Sequence, residues 1–364
     1  MKYNWQQSDW PEFRYDLAKI EGDLLAFADK AGQVSGILKS LPESTRLESV
    51  IDVMIAEAIK TSEIEGEYLS RQDVQSSIRK QLGLDVADES VRDPASQGAA
   101  ELMVNVRNTW QAPLTEKTLF SWHKMLMNGP KNEVLVGGWR THESPMQVVS
   151  GPIGRPKIHY EAPPSKNVPT EMARFFSWFN KSEKEILHAP VRAALAHLHF
   201  ESIHPFEDGN GRIGRAISEK ALSQGLNRPV LLSLSRTIEA DRKAYYKALE
   251  IAQTSNVVTD WLGYFLKTAL EAQTTVETQL DFVVRKTHFF DFHKDQLNKR
   301  QLRVVQRMLE EGPGGFEGGI NARKYVAIAK ASKATATRDL QDLVEAGTLV
   351  PIGKGRSRRY ELNL

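Results

Sequence analysis

Cysteine is absent from all 364 residues. That excludes disulfide frameworks, thiolate zinc sites and cysteine nucleophiles, and it fits a reducing compartment. Long apolar runs are missing as well. No stretch approaches the roughly 18 residues needed to span a bilayer, and the opening MKYNWQQSDWPEF carries no apolar segment behind its single Lys. A cytoplasmic protein without a membrane partner is expected. Strand-type alternation is scarce, and neither internal repeats nor low-complexity tracts occur. What is present, 41% hydrophobic and 26% charged residues, is the composition of an ordinary folded protein, long enough for two or three domains.

The formal net charge of +2 hides an uneven distribution. From Asn298 to Leu364 there are 13 Lys and Arg against 7 Asp and Glu, so the tail is basic and the remainder net acidic.

Helical periodicity dominates. Trp5, Trp10, Phe13 and Tyr15 gather around Pro11 as an aromatic clamp ahead of a helix expected over 15–34. A second helix from about Arg46 lines up Leu47, Val50, Met54, Ala58 and Ile59 on one stripe and ends at TSEIEG, where Gly66 can stop it. DPASQG (93–98) reads as a loop before a helix over 99–110, and Thr115 as the N-cap of the next. QVVSGPIGRPKIHYEAPP breaks the pattern and reads as a β-hairpin. Helices resume over 169–179 and 189–202.

HPFEDGNGRIGR (204–215) is the most informative stretch. It leaves one helix near Ile203, turns through Asp208-Gly209-Asn210-Gly211 and enters another near Arg212. Paired glycines let successive N–H groups point inward at a helix N-terminus, which makes an anion nest. Arg212 and Arg215 are spaced to project toward one region and suit phosphate contacts. His204 offers an imidazole, the side chain best suited to exchange a proton, and Asp208 offers a hard oxygen for Mg²⁺. Base, metal ligand, nest and clamp together describe a nucleotide-transfer site. A zinc site built on His197, His199 and His204 is disfavoured, because residues two apart lie on different helix faces. His197 and His199 read as packing residues.

These twelve residues match the Fic family signature HPFx(D/E)GNGRxGR at every defined position. With the flanks PVRAALAHLHFESI and IHYEAPP, the resemblance extends over about residues 45–270. WQQSDWPEF also resembles an N-terminal extension of some bacterial Fic proteins. The resemblance implies a mainly α protein with a helical core and a β-hairpin flap that registers target segments. The implied reaction moves AMP from ATP, with Mg²⁺, to a protein hydroxyl. His204 would be the base, with Asp208 on Mg²⁺. Asn210 and the Gly209 and Gly211 amides would steady the α-phosphate. Arg212 would grip the departing pyrophosphate, and Arg215 would orient the γ-phosphate.

TSEIEG (61–66) fits the family's autoinhibitory pattern (S/T)xxxE(G/N). It implies that Glu65 pairs with Arg215, that Thr61 orients Glu65, and that Glu63 and Glu67 are exposed neighbours. Glu57 has no assigned partner. After Lys299 the order helix, Gly-rich loop, short helix (322–329), helix (334–346) and basic-tipped strand pair matches a winged helix-turn-helix, with Lys354, Arg356, Arg358 and Arg359 in the wing. Expected domains are 1–92, 93–285 and 298–364, with duplex DNA as a partner of the last and room for an oligomer. Other classes stay open: a DNA-binding regulator with a nucleotide-sensing core, or the same scaffold using another nucleotide or removing AMP.

Overall fold

The computed structural model describes residues 2–84, 91–127, 134–151, 155 and 157–364. Its elements run α1 (Glu21–Ser40), α2 (Glu43–Ile64), α3 (Arg71–Gln81), α4 (Pro94–Asn108), α5 (Glu116–Leu126), β1 (Gln147–Ser150), β2 (Lys157–Glu161), α6 (Val168–Glu185), α7 (Ala189–Ile203), α8 (Asn210–Gly225), α9 (Leu234–Ala240), α10 (Arg242–Ala252) and α11 (Thr259–His293). Then follow α12 (Lys299–Leu309), α13 (Ala322–Ala329), α14 (Lys333–Glu345), β3 (Leu349–Ile352) and β4 (Arg359–Leu362). The chain is mainly α, as its periodicity predicts. It divides into two units, residues 1–35 with 46–276, and residues 36–45 with 277–364.

In the first unit α7 is the central element, with every residue buried. Arg192, His197, His199 and Glu201 are buried along with its apolar residues, so the helix is covered on all sides. It packs chiefly on antiparallel α8, and glycine sets the closeness: a Cβ at Gly225 would stand 2.6 Å from Ala189 Cβ, and one at Gly214 would stand 2.5 Å from Glu201 Oε1.

DPASQG is not a loop. Asp93 caps α4 by accepting from the Ala95 and Ser96 amides, and Pro94 occupies the first turn, where its missing N–H costs nothing. Gly98 sits inside the helix because a Cβ there would fall 1.9 Å from Met125 O of α5. Thr115 caps α5 as expected, accepting from Thr118 N–H. The helix expected from residue 15 begins at Glu21, after a short 3-10 turn capped by Asp16.

The aromatic clamp is divided between two tasks. Trp5 Nε1 donates to Glu161 O on β2 at 2.8 Å, whereas Trp10 and Phe13 lie edge-on to His199. The β1–β2 hairpin is antiparallel, pairing Val148 with Tyr160 and, past a bulge, Val149 with Ile158. Tyr160 anchors it, buried and donating to Ser202 O. Between the two strands, residues 152–154 and 156 lie outside the described residues.

The second unit closes on Val304, Val305, Met308, Tyr325, Leu340 and Leu343, with β3 and β4 antiparallel and Ile320 bridged to Tyr360. The Arg356 side chain lies outside the described residues. Among the described residues no helix is long and apolar enough to cross a membrane.

Candidate active site

The site is built at the joint between α7 and α8. α7 ends on His204, whose φ of 50° is left-handed and turns the chain out of the helix. Arg140, buried, holds that turn: its Nε donates to His204 O at 2.8 Å, and its own N–H to Pro205 O at 3.0 Å. Desolvation pulls the Arg140 guanidinium down to about 10. Phe206 stacks on the His123 ring, centroids 4.2 Å apart. His123 Nδ1 accepts from Gly137 N–H at 2.9 Å, which places the ring proton on Nε2, facing Asp208 O at 3.2 Å. Burial lowers the His123 pKa and keeps the ring neutral.

Gly209, with φ 79°, is the N-cap of α8, and a Cβ there would meet Met127 Cε at 2.7 Å. The Asn210 side chain is committed to the loop itself, since Oδ1 accepts from Phe206 N–H and Nδ2 donates to Phe206 O, both at 2.9 Å. Asn210 thus braces the loop that forms the nest. The backbone N–H groups of the first turn of α8 have no acceptor within the helix and form a positive end.

Arg212 and Arg215 leave this turn side by side, both buried. Three bonds hold Arg215: Nε to Thr61 Oγ1, Nη2 to Thr61 O and Nη2 to Glu65 Oε1, each 2.8 Å. Burial opposes the guanidinium's charge, but Glu65, with Tyr245 and Glu201, outweighs it and raises the Arg215 pKa. Thr61 therefore binds the arginine and does not orient Glu65, as its position on the helix face had suggested.

The end of α2 explains how carboxylates reach both arginines. Gly66, at φ 85°, lets Glu67 N–H reach back to Ser62 O at 2.9 Å and Gly66 N–H to Glu63 O at 3.1 Å. The reversal carries Glu65 to Arg215 and Glu67 to Arg212 Nη1, which are in direct hydrogen-bond contact. Glu67 is exposed as expected but paired, and Glu63 is only partly exposed and pairs with Lys60 at 2.5 Å. Glu57, unassigned by the sequence, is buried and accepts from the Ser233 hydroxyl at 2.8 Å and the Ser235 amide at 3.0 Å.

A cavity of about 760 Å³ opens over His204, Asp208 and the Gly209–Gly211 turn, with β1 at its rim and α10 as a wall. Glu65 lines it, and neither Arg212 nor Arg215 does. A Cβ on Gly211 would stand 2.2 Å from Glu65 Oε1, so the missing side chain makes room for that carboxylate at the nest.

Asp208 stands at the same cavity with its side chain 54% exposed, Oδ1 accepting from Gly209 N–H and lying 3.6 Å from Arg212 Nη2. Among the described residues no three His, Asp or Glu converge as a cage. A single hard oxygen fits Mg²⁺, which takes few protein ligands and fills its shell with phosphates and water.

Glu201, one turn before His204 and 4% exposed, was not singled out from sequence. Its Oε2 lies 3.6 Å from His204 Nδ1. Burial would raise its pKa, but His204, His197 and Arg215 outweigh that and hold the carboxyl below its ordinary value. His197 bonds to Tyr245 OH at 2.8 Å, and His199 is enclosed by Trp10, Phe13, Phe175 and Trp178, so both are packing residues.

Residues 113–222 match the Fic/DOC family, and residues 3–84 match a domain of unknown function (DUF4172). The protein adenylyltransferase Fic of Drosophila grimshawi is 27% identical over 158 residues, 41% of this chain and 31% of that protein. Its namesake from Culex quinquefasciatus is 36% identical over 87 residues, 24% of this chain and 16% of that protein. The matches thus span less than a third of either relative's length. Among solved structures, a Fic family protein from Desulfovibrio desulfuricans has a TM-score of 0.52 at 20% identity, covering 93% of this chain and 95% of that one. A Fic domain-containing signaling protein from Bacteroides thetaiotaomicron has a TM-score of 0.56 at 16% identity, covering 70% and 97%. These likenesses are of fold.

Proposed function

We propose that this chain, which carries a Fic/DOC domain over residues 113–222, is a protein adenylyltransferase that moves AMP from ATP to a Ser, Thr or Tyr hydroxyl of a protein, itself included, and that Glu65 holds it inactive. The observation that carries the reading is the Glu65 carboxylate lying on Arg215 above Gly211, at the cavity wall. A carboxylate at a helix N-terminus beside a guanidinium occupies the position suited to a phosphate.

In the transfer, His204 takes the proton of the target hydroxyl. The freed oxygen bonds to the α-phosphorus, the bond from that phosphorus to the β-bridging oxygen breaks, and pyrophosphate leaves. The α8 amides stabilise charge on the α-phosphate, Arg212 grips the pyrophosphate and Arg215 sets the γ-phosphate, which fixes the α-phosphorus for in-line attack. Asp208 would hold Mg²⁺, which when bound neutralises phosphate charge. With Glu65 and Glu67 in place both guanidinium groups are occupied, and a triphosphate has to displace two carboxylates to be placed correctly. The β1 edge at the rim suits an extended target segment pairing through its backbone.

The test is transfer of labelled AMP by Glu65→Gly to itself or to lysate proteins, with the modified side chains located by mass spectrometry. GTP, CTP and UTP run in parallel decide the nucleotide. Label on hydroxyl side chains that disappears in His204→Ala supports the reading, and label that persists there contradicts it.

The second unit supports a separate reading as a winged helix-turn-helix that binds duplex DNA. Three helices precede an antiparallel strand pair, and Lys333 and Arg338 on α14, with Lys354, Arg358 and Arg359 beside and on β4, are exposed. Arg338→Glu combined with Lys354→Glu should abolish a duplex affinity that falls steeply with salt. Affinity unchanged by the two reversals overturns it.

A further inference from the structure

The transfer reading needs His204 to present an unprotonated nitrogen to the cavity, and the buried surroundings of the ring supply the means. His204 Nδ1 is buried without a hydrogen-bond partner, and so is Glu201 Oε1. The two side chains face each other across 3.6 Å, from Nδ1 to Oε2. A buried carboxylate oxygen with no partner is costly, and the other groups near it direct their bonds elsewhere, Arg215 Nη1 alone being buried without one. His197 bonds to Tyr245 OH at 2.8 Å and faces Ser218 Oγ at 3.2 Å, and Arg215 is held by Thr61 and Glu65. α8 makes room for the carboxylate with Gly214, where a Cβ would stand 2.5 Å from Oε1. Arg140 pins the His204 carbonyl at 2.8 Å, so the ring pivots on a fixed backbone.

Resting on the transfer reading, we propose that Glu201 is a positioning residue for His204: its carboxylate accepts the Nδ1 proton, fixes that tautomer and leaves the Nε2 lone pair for the target hydroxyl. The remaining gap closes by a small ring rotation, as catalytic hydrogen bonds commonly tighten once substrate is bound. During transfer the hydroxyl proton moves to Nε2, and the resulting imidazolium sits beside a carboxylate that stabilises it. The carboxyl is ready for this, because His204, His197 and Arg215 hold it below its ordinary pKa despite burial. The other titratable groups that interact with the carboxylate are His197 on α7, Arg215 on α8, Tyr245 and Tyr246 on α10 and Tyr160 on β2.

The test uses the full chain carrying Glu65→Gly. Adding Glu201→Gln should lower kcat for AMP transfer about 100-fold with KM for ATP unchanged, and it should move the acidic limb of the pH-rate profile downward, because the imidazole loses its anionic neighbour. Glu201→Asp should recover part of kcat. Independently of activity, ¹⁵N-histidine NMR of the otherwise native chain should show His204 protonated on Nδ1, and Glu201→Gln should lower its titration midpoint. An unchanged pH profile together with an unchanged His204 tautomer and midpoint overturns the proposal. If Glu65→Gly transfers nothing, the transfer reading fails, and the NMR comparison still decides the role of Glu201. If His204→Ala transfers at full rate, the base assignment fails instead.

Discussion

Glu65 Oε1 and Arg215 Nη2 lie 2.8 Å apart across 150 residues of chain, and Arg215 also donates two bonds to Thr61. The arginine is thus preorganised from one side by Thr61, which does not compete for its phosphate, and capped from the other by Glu65, which does. Thr61→Val should remove the Nε acceptor and leave the carboxylate in place. The expected result is a stability loss of about 1–3 kcal/mol from an unsatisfied buried donor, measured by urea unfolding, with transfer in a Glu65→Gly background lowered through misplacement of Arg215. Unchanged stability and rate would show that Thr61 contributes no alignment.

Glu67 contacts Arg212 directly, with its own side chain 45% exposed. As a half-exposed partner of a buried guanidinium it should hold the arginine weakly. Glu67→Ala should therefore raise Mg·ATP affinity about threefold by calorimetry, a change of under 1 kcal/mol, and have no effect in an Arg212→Ala background. Equal gains in both backgrounds would place the effect elsewhere.

The helices with strong apolar stripes or clear caps, α2, α5, α7 and α8, were legible in the sequence, as was the whole signature loop. What was missed has particular causes. DPASQG carries the residues of a turn, yet Asp93 and Pro94 serve a helix start and Gly98 a helix crossing, and a crossing is a tertiary fact that local propensity does not contain. α3 offers only Val74 and Ile78 as buried apolar residues in eleven, too little for a period to appear. Glu201 stands within PVRAALAHLHFESI, but a carboxylate one turn before a histidine is ordinary until the fold buries it with Oε1 unpartnered. Glu67 and His123 meet the signature across 145 and 85 residues, and no spacing rule reaches that far.

Burial of neutral histidines sets the expected pH dependence. His199, inside its aromatic cage with neither ring nitrogen bonded, is held down to about 3 by desolvation, and burial also lowers His197 and His123. The unfolded chain protonates these rings near 6.5 while the folded chain does not. The unfolded state therefore binds more protons, and stability, full above that value, falls as pH drops toward 3. The urea midpoint should decrease between about pH 7.5 and about pH 5, and His199→Phe should flatten the decrease. A midpoint that is flat over that interval would contradict neutral burial.

The most direct test of the account is the rate of AMP transfer at saturating Mg·ATP in three folded proteins: wild type, Glu65→Gly, and Glu65→Gly with Arg215→Ala. One guanidinium cannot serve both a carboxylate and a γ-phosphate in a partly desolvated site. Removing Glu65 should therefore raise the rate at least about tenfold by restoring alignment of the α-phosphorus. Removing Arg215 as well should abolish the gain, because the residue set free is then gone. Transfer by Glu65→Gly no faster than wild type, or a gain that survives Arg215→Ala, would contradict the account and leave TSEIEG as an ordinary helix end.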